Sequence, residues 1–207
     1  MFFFLSHLCS LSFRAGTITT AEALHTMTFT DRVEGRFVTV RIPGEGKILT
    51  LCEVEVYGYH APTEENLAIQ GKAAQSSVYE AADADRAIDG NPSPRWDDGS
   101  CSYTSNDLNP WWRLALPETH KVFSVKITNQ NEVPERLDGA EIRIGDSLGN
   151  NGADNPRFAV ITGIPGGETA EFKVPDGMDG RYVYIGIAGR QDYLTLCEVE
   201  VFGSALD

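Results

Sequence analysis

Short runs of alternating apolar and polar residues fill much of the second half of the chain. Clusters such as GNNGADNP and PDGMDG, which are typical of turns, separate these runs. No segment shows a convincing 3.6-residue apolar period of an amphipathic helix. The pattern predicts an all-β fold, an antiparallel β-sandwich or barrel. The five clearest predicted strands are rich in Val, Ile, Tyr and Phe: Val122–Thr128, Ala140–Gly145, Arg157–Thr162, Arg181–Ile187 and Leu196–Gly203.

One of these runs occurs twice. The sequence LTLCEVEVYG occupies residues 49–58, and LTLCEVEVFG occupies residues 194–203. Extended backward, residues 35–58 align without gaps on residues 180–203, with 14 identities in 24 positions and an offset of 145 residues. A period of this length indicates duplication of a whole domain rather than a solenoid.

The duplication predicts three regions: a leader at 1–34, the C-terminal fragment of a first domain at 35–61 and a complete domain at 62–207. The leader begins MFFFLSHLCSLSF, an apolar run close to signal-peptide length that lacks a basic n-region and a convincing cleavage site. It is either a weak secretion signal or an effect of where the chain is taken to begin. With about ten apolar positions this run is also too short to span a bilayer. No other stretch is apolar enough, so no membrane insertion is expected.

The acidic charge of the chain narrows the choice of partners. A net charge of −13 would repel nucleic acid and anionic lipid, and it favours a cation. The alternative is that the charge only keeps the protein soluble. The four cysteines show no CxxC or zinc-finger spacing, and in a secreted protein they predict one or two disulfides. They are Cys9, Cys52, Cys101 and Cys197.

Several motifs appear in a fixed order, and together they resemble the fucolectins, or F-type lectins. The resemblance covers residues 62–207, and residues 35–58 resemble the end of a second such domain. It implies a discoidin-like jelly-roll β-sandwich, calcium-dependent folding, secretion, a role in innate immunity and a tandem or homo-oligomeric arrangement. The motifs are ENLAIQGKAAQSS, AIDGN, GSC, NPWWRLAL, KITN, ERLDGAEIRIG, GRYV and LCEVEV.

By this resemblance, a Ca²⁺ ion is held by carbonyl and carboxylate oxygens from two distant segments. Hard oxygens, including backbone carbonyls, are the ligands that Ca²⁺ prefers. The alternative is an ordinary Asp-Gly turn beside a solvated glutamate. The resemblance also implies a disulfide between Cys101 and Cys197, and it leaves Cys52 and Glu53 of the first copy without partners. The matching metal positions are Arg86, Asp89, Asn91, Ser100, Cys197 and Glu198.

The family's sugar site, a histidine and two arginines, is only partly matched here. Arg136 matches the second arginine, whereas Tyr103 stands for the histidine and Gln130 for the first arginine. Neutral donors form weaker hydrogen bonds than charged ones, which predicts weakened binding. Trp96 and Tyr79 are the expected apolar platforms for the sugar. The alternative is that these are ordinary loop residues of a lectin that changed or lost its ligand.

The sequence thus predicts a calcium-dependent lectin for fucose or related glycans on cell or microbial surfaces. A discoidin-like interaction module that has lost sugar binding is the alternative. The four histidines are scattered and form no Ser/His/Asp or Cys/His grouping on the matching loops, so no enzyme is expected. Adjacent strand residues face opposite sides, so Trp111 and Trp112 are not expected to form one sugar platform.

Overall fold

The computed structural model describes residues 2–6, 12–19, 22–29, 33, 35, 37–58 and 65–205. The chain divides into two compact units, residues 1–57 and residues 58–207. This division lies four residues before the boundary that the sequence repeat predicts at residues 61 and 62. Cys9 lies outside the described residues.

The first unit contains a three-stranded antiparallel sheet in the order β2-β1-β3. Its strands are β1 (Phe2–Ser6), β2 (Ser12–Thr17) and β3 (Phe37–Arg41). The sheet therefore joins residues on both sides of the predicted boundary at residue 35. The repeated stretch that follows forms no strand over residues 51–58, although its alternating pattern predicts one.

The second unit is built from ten strands and five short 3₁₀ helices in the described part of the chain. Every strand predicted for this unit overlaps an observed one, but two observed strands begin well before the predicted ones, at residues 111 and 169 rather than 122 and 181. The strands are β4 (Lys72–Gln75), β5 (Ser102–Tyr103), β6 (Asp107–Leu108), β7 (Trp111–Thr128), β8 (Glu141–Gly145), β9 (Arg157–Val160), β10 (Thr169–Gly186), β11 (Gln191–Asp192), β12 (Thr195–Leu196) and β13 (Glu198–Ala205). The 3₁₀ helices are Leu67–Gln70, Ala84–Ile88, Trp96–Asp98, Pro134–Leu137 and Gly149–Gly152.

The long strands β7 and β10 organise this unit. The main sheet has the order β13-β7-β10-β8-β9, and β4 also pairs with β7. The first half of β7 pairs with β4, whereas its second half pairs with β13. Two small antiparallel pairs, β5 with β12 and β6 with β11, complete the unit. All pairings are antiparallel, as expected for a discoidin-like β-sandwich.

The core follows from the alternation along each strand. In β7, Trp112 and Leu114 are almost fully buried, while Trp111 and Arg113, which alternate with them, are only half-buried. The Trp112 indole nitrogen donates to the carbonyl of Ala84 at 3.0 Å. The two tryptophans therefore face opposite sides of the strand, as predicted. Burying each large side chain contributes about 1.5–3 kcal/mol.

A disulfide joins Cys101 to Cys197, as the resemblance implied, and closes a separation of 96 residues. Cys52 is a free, exposed thiol. Phe158 is buried in the core, and Val174 packs against that core. Among the described residues, no helix is long and apolar enough to cross a membrane.

Candidate functional site

Three aromatic side chains gather around Tyr79 in the second unit and form a cluster of four with it. The Tyr79 ring centroid lies 6.1 Å from that of Trp96, 6.4 Å from that of Tyr103 and 5.8 Å from that of Tyr193. Trp96 and Tyr103 also meet edge to face at 4.6 Å, an arrangement that ring quadrupoles favour. Tyr79 is exposed, and Trp96 and Tyr193 are half-buried. The cluster therefore offers solvent an aromatic surface with polar edges.

Tyr103 and Gln130 are brought together by a hydrogen bond between themselves. The Tyr103 hydroxyl donates to the side-chain carbonyl of Gln130, and both residues are buried. Burial raises the pKa of Tyr103 above its ordinary value, although the positive charge of Arg136 opposes that rise. The amide nitrogen of Gln130 is buried without a hydrogen-bond partner. In this structure the pair forms a polar floor beneath the aromatic cluster.

Arg136 supplies the positive charge beside this floor. Its guanidinium carbon lies 4.7 Å from the centroid of the Tyr193 ring. Within the described part of the chain, no hydrogen bond or ion pair engages this guanidinium. A guanidinium stacked on a ring still directs its N–H groups sideways, where they can donate to oxygen atoms. Arg136 is therefore a charged donor at the edge of an aromatic surface.

Arg190 holds the short helix that carries Arg136. Its Nη2 donates to the carbonyl of Arg136 and its Nη1 to the carbonyl of Asp138, both at 2.9 Å. Its Nε lies 2.9 Å from the Asp192 carboxylate, which fixes the guanidinium from the other side. Charge-assisted bonds to backbone carbonyls are stronger than neutral ones. Arg190 is therefore a positioning residue for Arg136.

Arg190 and Tyr193 are the functional residues that the sequence reasoning missed. Tyr193 stands directly before the repeated LTLCEVEV and Arg190 three residues earlier, and both lie within the aligned residues 180–203. The repeat itself contained a signal, because the corresponding residues of the first copy are Glu45 and Ile48. Glu45 has no guanidinium to donate to the two carbonyls, and Ile48 has no aromatic ring.

The loop from Gln130 to Arg136 is anchored by its neighbours. The Asn129 side-chain nitrogen donates to the carbonyls of Pro134 at 2.9 Å and Ile164 at 2.8 Å. The backbone of Asn131 donates to the carbonyl of Pro94 at 3.0 Å. Val133 has a φ of 50°, a left-handed conformation that is strained for a β-branched residue. The loop is therefore held in one definite shape.

A shallow depression of about 250 Å³ lies next to this loop. Trp96 forms part of its wall, so the depression adjoins the aromatic cluster. Charged and amide side chains supply most of the remaining lining. Its residues are Arg95, Trp96, Asp97, Asn131 and Glu132.

A second group of predicted residues meets where β13 passes the AIDGN loop. Glu198 is almost fully buried, and neither carboxylate oxygen accepts a hydrogen bond of good geometry, although the backbone N–H groups of Gly90 and Asn91 lie near it. Burial, followed by the charge of Asp89, raises the pKa of Glu198 to about 7, although the backbone N–H groups of Gly90 and Asn91 oppose the rise. Two facing carboxylates, one of them buried and unpaired, are costly unless a cation lies between them.

The other predicted metal positions surround this pair. Asp89 accepts from the backbone of Asn91 at 2.8 Å, and Asn91 accepts from the backbone of Ser93 at 3.3 Å. Ser100 is buried and donates to the carbonyl of Ser93 at 2.5 Å. Arg86 lies in the 3₁₀ helix just before Asp89. The loop side chains thus brace the loop itself.

The Cys101–Cys197 disulfide links the two halves of this group, because Cys101 follows Ser100 and Cys197 precedes Glu198. In the described part of the chain, no three His, Cys, Asp or Glu side chains lie close enough together to ligate a metal. A cation here must therefore draw on backbone carbonyls as well as on Glu198. Such a mixed oxygen set suits Ca²⁺ and not Zn²⁺.

Known proteins are similar to this chain in sequence and in fold. The domain family described as NedA-like, galactose-binding domain matches residues 86–185. Fucolectin-1 of Anguilla japonica is 45% identical over 144 residues, which are 67% of this chain and 80% of that protein. The chain belongs to the fucolectin family. Fucolectins are lectins and not enzymes, in agreement with the prediction from the sequence.

Two solved structures of this family and its neighbours agree in fold. The crystal structure of an F-lectin (fucolectin) from striped bass serum, Morone saxatilis, is 56% identical, with a TM-score of 0.92. It matches 100% of this fucolectin-family chain, which covers 72% of that chain. The lectin domain of Lectinolysin, complexed with Lewis B antigen, is 29% identical with a TM-score of 0.58, over 69% of this chain and 99% of that one. The predicted jelly-roll fold is thus confirmed.

Proposed function

We propose that this protein is a secreted lectin that binds fucose or closely related glycans at the aromatic cluster. The observation that carries the proposal is that Arg136 stacks on Tyr193, a member of the aromatic cluster around the exposed Tyr79, and has no hydrogen bond or ion pair among the described residues. Sugars are recognised by donors that reach their hydroxyl and ring oxygens and by aromatic surfaces that cover their C–H face. Relatives named fucolectins and the Lewis B complex of Lectinolysin support this assignment.

The roles within the site follow from burial. Arg136 donates to sugar oxygens, while Trp96 and Tyr79 cover the apolar face of the sugar. Tyr103 and Gln130 bond each other and are buried, so they shape the floor of the site and position the rings above it. A single charged donor predicts modest affinity at each site. Self-association of the protein would raise the avidity for glycan-rich surfaces.

The binding test uses the full chain and one matched pair of arginines. Arg136→Ala is expected to weaken binding to a fucosylated glycan by roughly tenfold or more, since charge-assisted bonds contribute about 1.5–3 kcal/mol. Arg157→Ala, in the edge strand β9, serves as the control and is expected to leave the affinity unchanged. Calorimetry measures both affinities. Equal affinities for the two variants would exclude Arg136 as the sugar anchor.

A glycan array on the same protein separates the two function classes. Binding to fucosylated glycans supports the lectin. The discoidin-like interaction module is the alternative that takes its place if the folded chain binds no glycan on the array. Secretion is tested separately, by expressing the full chain in animal cells and assaying the medium against the cell pellet.

We also propose that Ca²⁺ stabilises the fold at the second group of residues. Glu198 and the segments carrying Arg86, Asp89, Asn91, Ser100 and Cys197 would supply the oxygens. The bound ion supplies positive charge that neutralises the facing carboxylates. The buried, unpaired Glu198 carboxylate supports this assignment.

The calcium test compares the two copies of the repeat. At a hundredfold excess over Kd, Ca²⁺ is expected to stabilise the protein by about 2.7 kcal/mol relative to chelator. Glu198→Gln should abolish this increment, whereas Glu53→Gln should retain it because Glu53 is exposed. Thermal melts in calcium and in chelator measure the difference. An identical melting temperature of the wild-type chain in both solutions would rule out the ion.

A further inference from the structure

The two copies of the repeat differ in structure although they are nearly identical in sequence. Residues 49–58 are called here the first closing segment, and residues 194–203 the second closing segment. They share nine of ten residues, and only Tyr57 differs from its counterpart, Phe202. The second closing segment forms β12 and most of β13, whereas the first forms no strand. The apolar residues of the first segment are 40–86% exposed: Leu49, Leu51, Val54, Val56 and Tyr57.

The first closing segment could occupy the place of the second closing segment in the sheet, and the same side chains would be buried there. Seven residues of the second segment are at most 2% exposed: a glutamate, a cysteine and five aliphatic or hydroxyl-bearing residues. All seven recur in the first segment at the same spacing. They are Leu194, Thr195, Leu196, Cys197, Glu198, Val199 and Val201.

The three remaining positions are also compatible, and at the first of them Glu200 is matched by Glu55. A Cβ atom at Gly203 would lie 2.6 Å from the carbonyl oxygen of Lys121, so this position requires glycine, and the first segment has Gly58 there. The ammonium of Lys126 lies 4.6 Å from the centroid of the half-buried Phe202 ring. A tyrosine ring preserves that cation–π contact. Every constraint of the position is therefore met.

We propose that the first closing segment is a second, interchangeable closing strand for the β-sandwich, pairing with β7 in place of residues 194–203 and bonding Cys52 to Cys101. The donor is residues 49–58 of the same chain or of a second copy of this chain. The exchange adds a strand to an existing sheet, a mode of association in which backbone hydrogen bonds give affinity and side-chain pockets give specificity. Here the buried side chains of the second closing segment, which fill these pockets, are identical to those of the first.

The covalent step needs no external oxidant. The Cys52 thiol loses its proton to solvent, and the thiolate attacks the Cys101 sulfur. The Cys52–Cys101 bond forms as the Cys101–Cys197 bond breaks, and the electron pair leaves on Cys197, which takes up a proton. One disulfide and one thiol exist before and after the step, so atoms and electrons balance.

Burial sets the conditions for this exchange. Cys101 and Cys197 are at most 1% exposed, so the Cys52 thiolate reaches them only when β13 leaves the sheet. The exchange therefore belongs to folding, or to a thiol–disulfide buffer that opens the bond, and it is slow in the closed domain.

Exchange would also alter the candidate sugar site, a consequence that rests on the proposed function. In the same register, Ile48 follows into the place of Tyr193, and Glu45 into that of Arg190. Arg136 would lose both the ring beneath it and the clamp on its carbonyl. The exchanged form is expected to bind glycan more weakly than the form closed by residues 194–203.

The test uses the full chain with the competitor cysteine removed. Cys197→Ser is refolded in a glutathione redox buffer, and its disulfides are mapped by mass spectrometry without reduction. We expect the Cys52–Cys101 peptide pair as the main product, and the mass of the intact species shows whether the bond lies within one chain or between two. A main product in which Cys101 is free, or is joined to Cys9 or glutathione, would overturn the proposal.

A matched variant separates strand exchange from simple thiol pairing. In Cys197→Ser with Val54→Asp and Val56→Asp added, Cys52 is retained but the strand no longer fits the buried position. The Cys52–Cys101 pair should then be largely lost, and an undiminished yield would overturn the proposal. Amide hydrogen exchange gives the second readout: residues 52–57 should gain protection in Cys197→Ser. Neither measurement depends on glycan binding, so the proposed function and the strand exchange can fail separately.

Discussion

The first and second closing segments show how little a strand's own sequence decides. Both carry LTLCEVEV, yet Glu198–Ala205 pairs with β7 and is mostly buried, while residues 51–58 pair with nothing that the structure describes as a strand. Alternation and β-branched residues are the same in both. The difference lies in the neighbours, because the second segment pairs with β7 and its Cys197 is bonded to Cys101. Strand propensity therefore measures fit to a sheet that must already exist.

The largest expected effect concerns the disulfide. Cys101→Ala should lower the free energy of unfolding by about 4–5 kcal/mol, since the lost bond closes a loop of 96 residues. Cys52→Ala, in the first segment, should change it by less than about 0.5 kcal/mol, because this thiol is exposed. Urea denaturation of both variants under non-reducing conditions makes the comparison. Equal losses would mean that Cys52 is also bonded in the stable form.

A smaller effect is expected from the apolar residues of the two segments. Val199 is fully buried, so Val199→Ala should cost about 2–3 kcal/mol through lost burial and the cavity that remains. Val54 is 48% exposed, and Val54→Ala should cost less than about 0.5 kcal/mol. The same denaturation assay gives both values. A large loss for Val54→Ala would show that the first segment is packed in solution.

The smallest expected effect makes the two segments identical over all ten positions. Phe202→Tyr places the first copy's residue into β13, where the ring is half-buried beneath Lys126. The added hydroxyl can reach solvent, so stability should change by less than about 0.5 kcal/mol. A melting temperature within a few degrees of the wild type supports equal fit. A marked loss would show that the position distinguishes phenylalanine from tyrosine, and it would weaken the case for exchange.

The fold was largely predictable because alternation, turn residues and the order of the motifs all pointed to one architecture. The alternating pattern at residues 51–58 also predicted a strand, but the structure describes none there. At the candidate sugar site, the five predicted residues Tyr79, Trp96, Tyr103, Gln130 and Arg136 do converge. Their division into a buried pair, exposed rings and a charged donor depends on tertiary packing, which spacing along a chain does not encode.

Arg190 and Tyr193 were missed for a related reason. Arg190 acts through backbone carbonyls of Arg136 and Asp138, 54 and 52 positions away along the chain. A carbonyl partner leaves no trace in the sequence, because every residue has one. Tyr193 stands just before the ten-residue repeat, and its contacts with Tyr79 and Arg136 join residues more than 50 positions away along the chain.

The pairing of β13 with the second half of β7 also has a consequence for the order of folding during translation. Thr128 and its partner Glu198 are 70 residues apart, which a ribosome takes roughly 4–14 s to translate at about 5–20 residues per second. Strand pairing in a hairpin takes only microseconds. During that interval the nascent β7 has emerged and the first closing segment has already been made, whereas the second has not. The first closing segment is therefore available to pair with β7 before the second. The second closing segment must then compete for a pairing site that the first can already occupy.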